Sequence, residues 1–222
     1  YIAECKDMGL RVLPPDINES NLDFRSQGDM IRFGLLAIRN VGEGAIRSIL
    51  QHRKEHGVFR DVFEFCEAVD SRALNKRVLE SLIRSGALDS LGWRRSQLVA
   101  MADRAFEHGQ KVQRDRASGQ RGLFSDPLGL PEAVHDIRPP DLPEWPAEQM
   151  LAYEKETLGF YVSGHPLERD SRELGLFSPK SLADLISEGN SVECQVAGIV
   201  TEYRTRRTKK GEDYLLAGRK VH

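Results

Sequence analysis

The 222 residues combine 40% hydrophobic and 30% charged side chains with a formal net charge of −2. That balance suits a soluble globular chain, and at about 100–200 residues per domain it leaves room for two compact units. It excludes a protein that coats nucleic acid by bulk charge, so any contact with DNA has to be local and geometric.

Cys5, Cys66 and Cys194 are odd in number, far apart and outside any C-x-x-C pair. This usage fits a reducing cytosol and excludes a thiolate zinc site. No apolar run approaches a membrane span, and "YIAECKDMGL" lacks the basic and apolar regions of a signal peptide. Opening on Tyr1, the sequence reads as a piece of something longer that works in the cytoplasm.

Residues 1–30 read as a connector. A short helical pattern ends at Gly9, and Pro14–Pro15 force an extended edge or loop. From Ile31 the pattern becomes helical: Leu35, Ile38 and Val41 share one stripe, Ile46, Ile49 and Leu50 a second, and "GEG" separates them. A second helical pair is predicted around "SGA", with Val78, Leu79, Leu82 and Ile83 on one face and Leu98, Met101, Ala102 and Ala105 beyond it. Val62, Phe63, Phe65 and Cys66 are placed to pack the two pairs together. After Phe106, "EHGQKVQRDRASGQ" loses its apolar face, so the helix is expected to fray.

Six prolines between Ser125 and Pro146 describe a tether. Residues 147–164 recover a stripe through Met150, Leu151, Leu158 and Tyr161 with a stop at Gly164. Val192, Cys194, Val196 and Ile199 then alternate with polar residues before a basic turn, the pattern of two antiparallel strands.

The joint "VGEGA" carries the first candidate chemistry. Gly42 and Gly44 allow a sharp turn, and the helix that follows presents unpaired N–H groups and a dipole that favour an anion. Arg39 and Arg47 add charge there; Lys76, Arg84, Arg94 and Arg95 do so around the second joint. Most such glycines are simply helix C-caps, but two joints with basic neighbours can hold two phosphates of one duplex.

"HRKEH", His52 to His56, matches the H-x-x-E-H pattern of zinc peptidases, with Glu55 as base. It sits at the polar end of its helix and Gly57 ends it at once, which favours a solvated helix terminus over a metal site. No carboxylate pair has the spacing of a two-metal centre, and no catalytic constellation emerges. "QRGLF" has the composition of a docking peptide: a polar hook and two adjacent apolar anchors in a segment with few other apolar residues.

Taken in order, "MGLRVLPPDINES", "FGLLAIRNVGEGAI", "NKRVLESLIRSGALDSLG", "QRGLF" and "EKETLGFYVSGHPL" resemble segments in the C-terminal half of the bacterial C-family replicative polymerases, the DNA polymerase III α subunits. The resemblance runs from residue 1 to about 212; "EDYLLAGRKVH" departs from it.

It implies a mainly α chain. A connector from the fingers region (1–30) leads into a tandem helix-hairpin-helix (31–117). A clamp-binding peptide and linker (118–146), a helical segment (147–188) and the start of an OB-fold β-barrel with an atypical tail (189–222) follow.

It also implies roles. Gly42, Gly44 and Gly86 are turn positions of hairpins that hold duplex DNA by its phosphates, with Arg39, Arg47, Lys76 and Arg84 beside them. Gln120, Leu123 and Phe124 match the Q-x-x-L-F peptide that binds the sliding clamp, the β subunit. The OB-fold would touch single-stranded template, and further replicase subunits would be partners, with no membrane involved. No cofactor belongs to this chain, because the palm carboxylates and their Mg2+ lie upstream, so the piece alone is not expected to polymerise. The rival expectations are a stand-alone helix-hairpin-helix adaptor and the zinc hydrolase.

Overall fold

In the computed structural model the described residues are 4–5, 8–118 and 137–167, together with the backbone of two strands at 203–207 and 213–217. The chain divides into two units, 1–164 and 165–222.

The first unit opens on a small sheet of β1 (Arg11–Leu13), β2 (Arg25–Gln27) and β3 (Met30–Arg32), ordered β1-β3-β2 with β1 parallel and β2 antiparallel to β3. The expected connector is therefore built into the fold. Ile17 is fully buried and donates its N–H to Ala87 O at 2.9 Å. The Asn18 amide pairs reciprocally with the backbone of Phe59, at 3.0 and 2.8 Å. Polar side chains that satisfy distant backbone groups carry this segment into the core, and periodicity does not report such bonds.

The helix expected from Ile31 to Val41 is reduced to one 3-10 turn, Leu35–Ala37. Strand β3 takes Met30–Arg32, and the N–H groups of Leu35 and Leu36 donate to Asn21 O and Leu22 O at 2.9 and 3.0 Å. Leu35, Ile38 and Val41 are nevertheless all buried.

The helices are α1 (Glu43–His56), α2 (Val62–Ala68), α3 (Lys76–Arg84), α4 (Arg95–Ser118) and α5 (Ala147–Leu158). In α1, Glu43 in the first turn and Arg53, Lys54 and His56 in the last complement the helix dipole. Asp61 caps α2, accepting from the N–H of Phe63 and Glu64, and Asn75 caps α3 through the N–H of Val78. The anticipated faces are in place: Val62, Phe63, Phe65, Cys66, Val78, Leu79, Leu82, Ile83, Leu98, Met101, Ala102 and Ala105 are all buried.

Helix α4 does not fray at Phe106; it runs 24 residues to Ser118. Polar groups fasten its second half to α2. The Gln113 amide donates to Cys66 O and Val69 O, at 3.0 and 2.7 Å, and accepts from Ser71 N at 2.9 Å. It thereby satisfies carbonyls that the end of α2 leaves open. His108 meets Glu67 at 2.8 Å. The two helices come so close that a Cβ on Gly109 would stand 2.3 Å from Cys66 O.

The expected tether is docked along its last ten residues. Pro140 O accepts from Gln97 Nε2, Leu142 O from Arg94 and Pro143 O from Ser96 Oγ, while Ile137 and Trp145 pack on the core. Helix α5 stops at Leu158, with Gly159 left-handed at φ 81°, five residues before the expected Gly164. Its buried residues are Glu154, Thr157 and Leu158; of the expected stripe Leu158 is buried, and Met150, Leu151 and Tyr161 are half-buried. Glu154 shares that face and is buried against Arg95, at 3.4 Å.

In the second unit, β4 (Tyr203–Arg207) and β5 (Asp213–Ala217) pair antiparallel, Tyr203 opposite Ala217 and Arg207 opposite Asp213. The strand expected around Val192–Ile199 lies outside the described residues, and the described pair alone does not define the expected OB-fold. Among those described, no helix is long and apolar enough to cross a membrane.

Candidate nucleic-acid interface

The joint before α1 is the open one. Gly42 is the N-cap, extended at φ −84° and ψ 157°, with no side-chain cap, and Gly42, Glu43 and Gly44 are all exposed. Gly42 O accepts from Ala45 N and Ile46 N, at 3.1 and 3.3 Å. The N–H groups of Glu43 and Gly44 are left for an acceptor from outside. Nothing lies within 4 Å of a Cβ built on Gly42, and only Ala73 Cβ, at 3.5 Å, approaches one on Gly44. The chain's own packing thus requires glycine at neither position; bare backbone there leaves room for a partner.

Arg39 projects an exposed side chain from the turn while its N–H donates to Thr157 O at 2.9 Å. Arg47, one turn into α1, pairs with Glu43 at 2.6 Å, with both side chains more than half exposed. Such a pair is worth little in water and yields readily to a phosphate.

The second joint is closed by the protein itself. Gly86 is left-handed at φ 81°, and a Cβ there would stand 2.2 Å from Arg95 Nη2. Arg95 is not a free cation: it is nearly buried, forks onto Asp89 at 2.8–3.2 Å and reaches Glu154 at 3.4 Å. Burial acts to lower its pKa, but the bonds to Asp89 and the charges of Asp89 and Glu154 leave it raised. Arg84 lies between Glu80 and Glu156, at 3.5 and 3.9 Å, with its guanidinium 4.8 Å from the Tyr153 ring centre. Lys76, at the start of α3, pairs with Asp103 at 2.7 Å, both side chains more than half exposed.

The N-terminus of α4 is occupied too. Glu144 accepts from Arg95 N at 2.8 Å, Ser96 N at 3.2 Å and Trp145 N at 2.9 Å. Burial tends to raise its carboxyl, but these donors and the Arg95 charge hold it below the usual range. Of the two joints expected to hold phosphate, the one before α1 exposes an uncapped helix N-terminus beside Arg39 and Arg47, and the other is filled from within. Nothing in the periodicity points to Glu144, since it lies far from α4 in sequence and its only signal is an acceptor side chain among prolines.

The H-x-x-E-H segment does not form a ligand set. The rings of His52 and His56 stack nearly parallel, 17° apart with centres at 4.8 Å, and His52 stacks equally on Phe59. Parallel rings send their nitrogen lone pairs alongside one another, not toward one ion. Glu55 accepts from the Gln51 amide. Burial first, and then His56, lower the pKa of His52, against Glu64 and Glu55. Among the described residues no group of three His, Cys, Asp or Glu side chains could hold a metal. Gln120, Leu123 and Phe124 lie outside the described residues.

Residues 9–98 match the helix-hairpin-helix motif family. Over 97% of its length the chain is 39% identical to the DNA polymerase III subunit alpha of Saccharopolyspora erythraea, and over 95% it is 39% identical to those of Vibrio cholerae and Mycobacterium tuberculosis. It spans only 18–19% of the length of these relatives.

Proposed function

The chain belongs with the bacterial DNA polymerase III α subunits, and from that premise we propose that it is the part of a replicative polymerase that grips duplex DNA by its backbone and carries the peptide that fastens the enzyme to its sliding clamp. The observation that supports the grip is the exposed, uncapped N-terminus of α1 behind Gly42 and Gly44, flanked by Arg39 and Arg47. A phosphodiester there receives backbone N–H groups, the positive end of a helix dipole and two guanidinium groups, and none of these reads a base. Lys76 contributes longer-range attraction. Arg84 and Gly86 serve the same surface indirectly, by shaping the second joint.

Gln120, Leu123 and Phe124 are the clamp contacts in this reading, a polar hook and two apolar anchors. Support comes from the homology, which covers nearly the whole chain, and from the described residues on either side: Ser118 ends α4, and Ile137 packs on the core. Both described flanks belong to the same folded unit. The β4–β5 hairpin is read as part of an OB-fold that contacts single-stranded template, with other replicase subunits as further partners. Polymerisation and its Mg2+ ions belong, in this reading, to the portion of the relatives outside the matched fifth.

Two sets of variants test it. Arg39→Glu with Arg47→Glu should weaken duplex binding alike for unrelated sequences and flatten its salt dependence by about 0.9 in log–log slope per phosphate lost. Loss confined to particular sequences would overturn the phosphate reading. Replacing Gln120, Leu123 and Phe124 together by alanine should abolish clamp binding and leave duplex binding intact; undiminished clamp affinity would overturn the docking peptide.

A further inference from the structure

Asn40 is the only non-glycine residue with positive φ, at 67°, among the described residues. It sits two positions before the Gly42 cap of α1. A left-handed backbone at a residue other than glycine persists only where the surroundings hold it, and asparagine is among the few side chains that tolerate it.

The surroundings here are specific. Asn40 Nδ2 donates to Ser81 Oγ at 3.1 Å, and Ser81 is buried on α3. On one side of Asn40, the Arg39 N–H donates to Thr157 O in the last turn of α5, a carbonyl that has no donor within its own helix. On the other side, Val41 is buried in the core and its N–H closes onto Ile38 O at 3.2 Å. Three consecutive residues of the turn are thus pinned by different parts of the unit, and the N–H groups of Glu43 and Gly44 come directly after.

We propose that Asn40 is a positioning residue for the phosphate seat at α1. Its left-handed backbone aims the first N–H groups of the helix, and its amide, bonded to Ser81, keeps that aim fixed relative to α3. The inference rests on the proposed phosphate grip and deepens it, since the seat then depends on α3 and α5 as well as on its own turn. Alanine at this position disfavours the left-handed backbone and removes the amide. Glycine removes the amide but adopts the backbone freely. Ser81→Ala removes the bond and leaves Asn40 in place.

The test uses the full chain and a DNA duplex, with Kd measured across a range of salt concentrations well below the unfolding temperature of every variant. Asn40→Ala should weaken duplex binding on the order of tenfold, the worth of one hydrogen bond to a charged group, and reduce the salt slope by about 0.9, one phosphate. Asn40→Gly should recover the slope and most of the affinity, and Ser81→Ala should show a smaller loss in the same direction. A purely structural role would lower the melting temperature and leave the salt slope alone. Asn40→Ala with unchanged affinity and slope, in a chain that Arg39→Glu with Arg47→Glu still weakens, would overturn the positioning role by itself. If the charge reversals also have no effect, the phosphate seat falls with it.

Discussion

The backbone N–H of Arg95 donates to the Glu144 carboxylate at 2.8 Å. With Ser96 N at 3.2 Å on the other oxygen, a residue from a proline-rich stretch caps a helix that begins nearly fifty positions earlier. The contact joins the segment after the proposed clamp peptide to the second joint, and it leaves the joint before α1 as the one with an open helix N-terminus.

Losing that cap should be measurable. Glu144→Ala should cost about 1 kcal/mol, the usual worth of a helix N-cap, read as a lower urea midpoint with faster amide exchange at Arg95 and Ser96. The pH dependence has a definite sign. Burial acts to raise the Glu144 carboxyl, yet its three backbone donors and Arg95 leave it depressed. Its stabilisation is therefore complete above the ordinary glutamate range and disappears as pH falls through the depressed value. Wild type and Glu144→Gln should differ in stability at neutral pH and converge in acid.

Gly86 and Gly159 form a matched pair, since both are left-handed at φ 81°. A Cβ on Gly159 meets nothing within 4 Å, whereas one on Gly86 meets the Arg95 guanidinium at 2.2 Å. Gly159→Ala should cost only the backbone penalty, about 1–2 kcal/mol. Gly86→Ala should cost more, because it also pushes Arg95 away from Asp89 and Glu154, and breaking a buried pair is worth about 3–5 kcal/mol in its own right. Denaturant melts of the two variants read the difference directly; equal losses would show that Arg95 moves aside without cost.

Cys66 should be chemically silent in the folded protein. Burial first, then Asp61 and Glu67, push its thiol from 9.0 to about 12, so almost no thiolate forms near neutral pH. Peptide mapping after iodoacetamide treatment at pH 8 should find Cys66 unmodified in the native chain and modified in urea. The same shift makes stability fall as pH rises from about 9 toward 12, because the unfolded thiol ionises across that window while the folded one stays protonated.

The parts that were legible from sequence are those written as local patterns. Val78, Leu79, Leu82 and Ile83 lie at helical spacing and are all buried. The apolar run Val62–Cys66 packs as expected, and the paired glycines mark the start of α1. The parts that were not legible depend on polar bonds between distant residues. A periodicity argument ends α4 at Phe106, because Gln113 looks like a solvent-facing residue until its amide is seen on Cys66 O and Val69 O. Nor does it explain a buried charge at Glu154, which lies among the apolar positions of α5, because Arg95, its buried partner, lies across the fold. The small sheet was missed because three-residue strands are too short to show an alternation.

By itself the sequence determined the helical faces, the family and the bare backbone at Gly42 and Gly44, since each is written in neighbouring residues or in their order along the chain. Only the tertiary structure decided which cations are free. Arg39, Arg47, Arg84 and Arg95 look equivalent in sequence, yet Arg95 is buried on Asp89 and Glu154, Arg84 rests among two glutamates and a tyrosine, Arg47 holds an exposed and exchangeable partner, and Arg39 projects into solvent. The physical reason is that a guanidinium's availability depends on which carboxylates the folded chain brings to it, and Glu154 and Glu156, which reach Arg95 and Arg84, come from a helix far away in sequence.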